Sequence, residues 1–522
     1  MNKITGLIAM LMIIAVACTG TKEKEADAQT EAEGYYQEPY RPQFHFSPEF
    51  GWMNDPNGMV YYEGEYHLFY QYYPDSTVWG PMHWGHATST DLIHWEHLPI
   101  ALYPDSLGYI FSGSAVVDWN NTSGFGSEEN PPLIAIFTYH DMEVEKAGGL
   151  EDETQAIAYS LDKGRSWTKY EGNPVVENPG VADFRDPNVI WHEETQKWIM
   201  VLSVQDRVHL YSSENLKDWQ FESEFGHDAG SHGGVWECPD LFPLPVEGTD
   251  QTKWVLLLNI NPGGPNGGSA NQYFTGEFDG HTFVADTKET RWVDYGRDNY
   301  AGVTWSDVPK EDGRRIFIGW MSNWNYAQVV PTEKWRSAMT IPRKLSLKDE
   351  KGMAHLISEP VSELAGLRVV GSEKSIEAQT FSEMKSIDLG DLDLSKSELL
   401  IEFQAGEAGS FGISLGNDQE EVLTIGYSSA DKQLFVDRTK AGKSDFSSDF
   451  ASISTAPYEA GEQIKFHIYI DVASVEVFVD NGNRVLTEIY FSTTPTNSLK
   501  LFANGGVVEL TSLTAHELKR IW

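Results

Sequence analysis

The chain has 522 residues, and Lys plus Arg total 38 against 78 Asp plus Glu, a formal charge of −40. That balance repels phosphate backbones and disfavours anionic polymers as partners, which argues against nucleic acid. Charged residues make up 22% and aromatic residues 12%, so the composition is that of a globular rather than a disordered chain. With only Cys18 and Cys238, neither a disulfide framework nor a Cys-rich zinc site is available.

In chain order, Met1-Asn2-Lys3 is a short basic start, and Ile4 to Ala17 is an almost unbroken apolar run ending in Ala15-Val16-Ala17-Cys18. This run is shorter than the ~20 residues needed to span a bilayer but suits a signal peptide. Its end resembles a bacterial lipobox, with residues 1–17 removed and Cys18 lipidated. Residues 18–37, rich in Glu, Lys, Ala and Thr, read as a flexible tether. The expected location is the outer membrane or cell surface of a Gram-negative bacterium, with a periplasm-facing anchor as the alternative.

Beyond the tether the pattern is that of an all-β protein. Runs such as Tyr66–Tyr72, Leu133–Phe137, Trp198–Leu202 and Arg315–Trp320 alternate with Gly, Pro, Asn and Asp clusters. No stretch of helical period precedes about residue 355. Ser89-x-Asp91-Leu92-x-x-Trp95 and Ser213-x-Asn215-Leu216-x-x-Trp219 share one pattern, and Ser160-x-Asp162-x-Gly164-x-x-Trp167 a related one. Their spacing suits one four-stranded blade per copy, hence a β-propeller over residues 38–347. In each copy the Asp or Asn is expected to bind turn amides while the Trp seals the sheet. Residues 348–371, with a short helix from Val361 to Leu367, read as a linker. Residues 372–522 then return to strands without a repeat, as in a β-sandwich.

Three short motifs carry chemistry. Trp52-Met53-Asn54-Asp55-Pro56-Asn57-Gly58 and Phe184-Arg185-Asp186-Pro187-Asn188 each place an Asp before a Pro in what reads as a rigid turn. Arg185 is expected to keep Asp186 ionised. In Trp236-Glu237-Cys238-Pro239, desolvation by Trp236 and Cys238 is expected to raise the Glu237 pKa toward that of a working acid. Three such carboxylates on separate blades can converge at a propeller axis. There they would supply the nucleophile and the general acid that a retaining glycosidase needs.

These three motifs, in this order, resemble the signatures of glycoside hydrolase family 32, the family of invertases, levanases and inulinases. The likeness extends from about Gln43 to the C-terminus and includes Asp471–Phe478. The resemblance implies a five-bladed β-propeller followed by a C-terminal β-sandwich. It also implies Asp55 as nucleophile, Glu237 as acid/base and Asp186 as transition-state stabiliser. Trp52, Met53, Asn54, Gln71, Trp79, Phe111, Ser112, Arg185 and Trp320 would bind the fructosyl unit, although Trp79 and Trp320 also read as core residues. No cofactor and no metal are implied; His83, His86, His94 and His97 read as loop or core histidines.

The Gly263–Gly268 run lacks a following Lys-Ser/Thr, so it is no phosphate loop and reads as a mobile loop near the pocket rim. The implied activity is a retaining exo-β-fructosidase acting on levan or inulin and also on sucrose, with a fructan as partner and no obligate protein partner. Invertase and fructosyltransferase activities are alternatives on the same scaffold. A non-catalytic glycan-binding surface lipoprotein is the alternative from another class. A sialidase would need a Tyr nucleophile and an arginine cluster, which the chain does not show.

Overall fold

The computed structural model describes residues 35–404 and 406–522. The leader, Cys18 and most of the expected tether therefore lie outside the described residues. The tether's expected end at residue 37 is too late. Tyr36 already stacks on Trp522 at 4.3 Å, and its hydroxyl meets His97 Nε2 at 2.6 Å.

Among the described residues, the strands ahead of residue 361 form five antiparallel sheets of four main strands each, the fourth and fifth joined where Val246 and Glu247 pair in parallel with Leu347 and Lys348. Their innermost strands are Gly51–Tyr62, Tyr109–Val117, Phe184–His192, Val235–Glu247 and Tyr300–Thr304. Each lies against the next, and the fifth returns to the first, so the sheets are the blades of a closed propeller. Closure is helped by Trp335–Arg336, which pairs in parallel with Gly51 and Trp52 of the first blade.

The third blade shows how sequence becomes packing. Its strand Lys197–Val204 is apolar at successive positions because both faces are buried. Trp198, Met200 and Leu202 pack toward the second blade with Ile134 and Ile136, whereas Ile199 and Val201 pack toward the fourth with Leu256 and Leu258. Each such side chain contributes roughly 1.5–3 kcal/mol of burial.

The repeat sits where the third strand of a blade turns into the fourth. Asp91 Oδ1 accepts from the backbone N–H groups of Ile93 and His94, Asp162 Oδ1 from Ser166, and Asn215 Oδ1 from Lys217 and Asp218. The fourth blade carries a degenerate copy that sequence reading missed. Asp279 accepts from His281 and Thr282, and Phe283 stands where the others have Trp. Only the Asp and its turn survive there, too little for a pattern search.

The boundary with the second unit also differs from expectation. Residues 348–360 are not linker: Arg343–Glu350 and Met353–Pro360 form the hairpin that completes the fifth blade. The Lys- and Asp-rich turn between them hides the strand pattern. The connection is residues 361–371, and its helix is a short 3₁₀ turn, Ser362–Leu367. A one-turn α-helix, Met142–Lys146, precedes it in the second blade, capped by Asp141 and too short to show a period.

Sheets of seven and six strands then stack as a sandwich around Leu399, Ile401, Phe403, Ile413 and Leu501. The two units share buried ion pairs. His45 lies between Asp471 and Glu476 at 2.8 and 2.9 Å, and Arg343 between Asp294 and Glu476 at 2.8 and 2.5 Å. The loop expected to be mobile is pinned across this junction, where Asn266 Nδ2 donates to the carbonyls of Tyr295 and Thr455. No helix among the described residues is long and apolar enough to cross a membrane.

Candidate active site

The three Pro-containing motifs are not turns. Each lies inside an innermost strand, and pairing slips there: between Met53 and Pro56, opposite Arg185 to Asn188, and between Glu237 and Asp240. A proline has no N–H to give a ladder, so the strand bulges and re-aims the side chains beside it. Pairing also slips between Ile110 and Gly113 and between Tyr300 and Val303, so all five blades break register at the same level. Asp186, Cys238 and Ala301 adopt φ of 64°, 42° and 52° at these breaks. The Asp186 conformation is supported by its N–H, which donates to Thr138 Oγ1 at 3.0 Å.

The bulges converge on a cavity of about 420 Å³. Asp55 is held from two sides, by Asn54 Nδ2 at 2.9 Å and by Ser112 Oγ at 2.6 Å, while Trp52 Nε1 fixes Asn54 at 2.7 Å. Asp186 Oδ2 accepts from the Cys238 N–H at 3.0 Å. The Cys238 thiol lies between Asp55 Oδ2 at 3.5 Å and Asp186 Oδ2 at 3.6 Å. Glu237 Oε1 accepts from Arg185 Nη2 at 3.1 Å, and its other oxygen takes the Tyr300 hydroxyl.

Electrostatics separates these groups. Burial raises the Glu237 pKa, and Asp55 adds to the rise against the opposing pull of Arg185. The expectation that Trp236 desolvates Glu237 fails, because that indole points away into the core between the third and fourth blades and donates to Ser231 O. Asp186 also differs from expectation. Burial, Glu237 and Asp55 push its carboxyl well above the usual range despite the adjacent cation. The reason is geometric: the Arg185 guanidinium hydrogen-bonds Glu153, Asp183 and Glu237, not Asp186. Burial and the three acids keep the Cys238 thiol protonated.

Of the expected pocket residues, Asn54, Gln71, Trp79, Phe111, Ser112 and Arg185 line the cavity together with all three carboxylates. Trp52, Met53 and Trp320 do not. They are fully buried, and Trp320 packs behind Trp324, which takes the lining position. Sequence reading missed Trp324 and Tyr300, and also His140, Glu145, Asp152, Glu153 and Asp183, which wall one side. Tyr300 follows Asn299 without any motif. No cluster of three or more metal-ligating side chains occurs among the described residues.

The model of the glycosyl hydrolases family 32 N-terminal domain matches residues 45–360, and that of the family 32 C-terminal domain matches 363–517. The chain belongs to glycoside hydrolase family 32. It is 49% identical over 502 residues to a levanase from Bacillus subtilis, covering 95% of this chain and 73% of that one. It is 41% identical over 530 residues to an extracellular exo-inulinase from Aspergillus niger, covering 93% and 96%. Among family 32 structures, the exo-inulinase from Aspergillus awamori superposes with a TM-score of 0.84 at 37% identity, covering 93% of this chain and all of that one. A β-fructofuranosidase from Schwanniomyces occidentalis complexed with fructosyl-erythritol gives 0.81 at 33%, covering 93% and 99%.

Proposed function

We infer that the protein is a retaining exo-β-fructosidase that removes terminal fructosyl units from fructans such as levan or inulin. The observation that carries this reading is the convergence of Asp55, Asp186 and Glu237 from three blades onto one walled cavity. The levanase and exo-inulinase relatives supply the substrate class.

In this reading Asp55, oriented by Asn54 and Ser112, attacks the anomeric carbon of the terminal fructosyl unit. Glu237, whose burial raises its proton affinity, gives a proton to the departing glycosidic oxygen. The fructosyl–Asp55 ester forms as the glycosidic bond breaks. Glu237, now ionised and held by Arg185 and Tyr300, takes a proton from water, which attacks the same carbon and releases fructose and free Asp55. Asp186 faces the sugar as an acceptor for its hydroxyls.

Incubation with levan, inulin and sucrose side by side tests the substrate class. Free fructose as the sole early product from a fructan supports the reading, and a ladder of oligosaccharides contradicts exo action. We further propose that Cys18 carries a lipid anchor that holds the enzyme at the outer membrane. The apolar run before it and the polar tether after it support this. Cys18→Ala should then move the enzyme from the membrane to the soluble fraction.

A further inference from the structure

Behind the catalytic trio a chain of buried charges leads out to one wall of the cavity. Glu237 pairs with Arg185 at 3.1 Å, and Arg185 with Glu153 at 3.2 Å. Glu153 Oε1 lies 3.4 Å from His140 Nδ1, and His140 Nε2 lies 3.2 Å from Glu145. Glu145 belongs to the helix Met142–Lys146, and with Gly149 and Asp152 it forms the wall built by residues 141–152. His140 is only 5% exposed, and its ring stacks on Phe111, a lining residue, at 4.2 Å and 3°.

We propose that His140 is a positioning residue whose imidazolium ties the wall of residues 141–152 to the Glu153–Arg185–Glu237 chain, and so shapes the side of the pocket that receives the leaving group. This inference rests on the reading of Glu237 as acid/base. The groups facing His140 are Glu145 on the helix, Asp152 and Glu153 leading into the next strand, and the uncharged Phe111 and Met142. Three carboxylates thus converge on one ring, with Arg185 beyond Glu153. A neutral imidazole donates to only one of them, whereas the cation donates to two at once. Burial alone would favour the neutral ring, but Glu153 and Glu145 outweigh it and hold the proton above the ordinary imidazole range. When that proton leaves, the ring can donate to Glu145 or to Glu153 but no longer to both, and the link from the wall through the imidazole to the Glu153–Arg185 pair is broken. Leaving-group binding should weaken while the bond-breaking machinery stays in place.

The test compares KM and kcat across pH for wild type, His140→Gln and Glu145→Gln. Levan and an aryl β-fructofuranoside with a small, good leaving group serve as substrates. Glu145→Gln removes a largely exposed carboxylate and so keeps the fold. Wild-type KM for levan should be flat at acid pH and rise as His140 deprotonates. Both variants should show KM raised about fivefold and insensitive to pH in that window, with kcat on the aryl substrate within about twofold. Levan KM curves that superimpose on wild type, or equal kcat losses on both substrates, overturn the proposal. Full activity of Glu237→Gln on levan would instead overturn the underlying reading.

Discussion

The Asp55 carboxylate shows how much of this site depends on single hydrogen bonds. Ser112 Oγ donates to it at 2.6 Å from the neighbouring blade, and the hydroxyl is buried. A bond to a charged acceptor is worth about 1.5–3 kcal/mol, so Ser112→Ala should lower kcat/KM by about 10- to 100-fold with little loss of stability. Unchanged kinetics would show that Asn54 alone orients the nucleophile. For Glu237→Ala the prediction is selective. Fructans should be hydrolysed very slowly, while aryl fructosides should still form the ester, because their leaving group needs no proton. Azide should then accelerate the second step by replacing water. Equal losses on both substrates without azide rescue would remove Glu237 from the acid/base role. At this scale the residue types were legible in the sequence, because Asp-Pro and Glu-Cys-Pro are contiguous. Which cation holds which acid was not, since Arg185 reaches past its neighbour Asp186 to Glu237, 52 residues away.

At the level of the strand, the site is a ring of coordinated bulges, at least one on each innermost strand. Gly113 permits the bulge in the second blade. A Cβ there would lie 2.0 Å from Ile136 O and 2.7 Å from Phe137 Cα, both backbone atoms that cannot give way. Gly113→Ala should therefore force the first two strands of that blade apart, displace Ser112 and lower activity and melting temperature together. A variant with normal stability and normal kcat would mean that the bulge is not rigid. The outer turns make a separate prediction. Asp162 Oδ1 accepts from Ser166 N–H at 2.8 Å, so Asp162→Ala should cost about 1–2 kcal/mol of stability by denaturant unfolding and leave KM unchanged. The repeat was legible in three blades because Ser, Asp or Asn, and Trp recur at fixed offsets. The bulges were not, because a proline after an acid reads equally as a turn until its strand partners are known.

Across the whole molecule, the two units are held together by groups that titrate. Burial would depress the pKa of His45, but its hydrogen bonds to Asp471 and Glu476 hold it up to about 9. A folded pKa above the ordinary imidazole value of about 6.5 means that His45 stabilises the fold fully below that pH. The contribution is lost as pH rises from there through about 9. The melting temperature should accordingly fall across that window, and His45→Gln should start lower and fall less. Parallel curves for the two proteins would assign the alkaline loss to other groups. The acidic residues of the Asp471–Phe478 stretch face this junction, with Asp471 and Glu476 gripping His45 and Arg343 of the propeller. The Asp471–Phe478 stretch was visible in the sequence through its family resemblance, but the partners of its acids lie more than 130 residues away and only the fold brings them together.

Retention of configuration follows from Asp55 as nucleophile and Glu237 as acid/base, because the anomeric carbon is inverted twice, once when Asp55 attacks and once when water displaces it. The direct measurement is an NMR time course of levan hydrolysis, recorded before released fructose mutarotates. β-Fructose should appear first, with the other anomers growing in later. If α-fructose appears first, water attacks without a fructosyl–Asp55 ester and Asp55 is not the nucleophile.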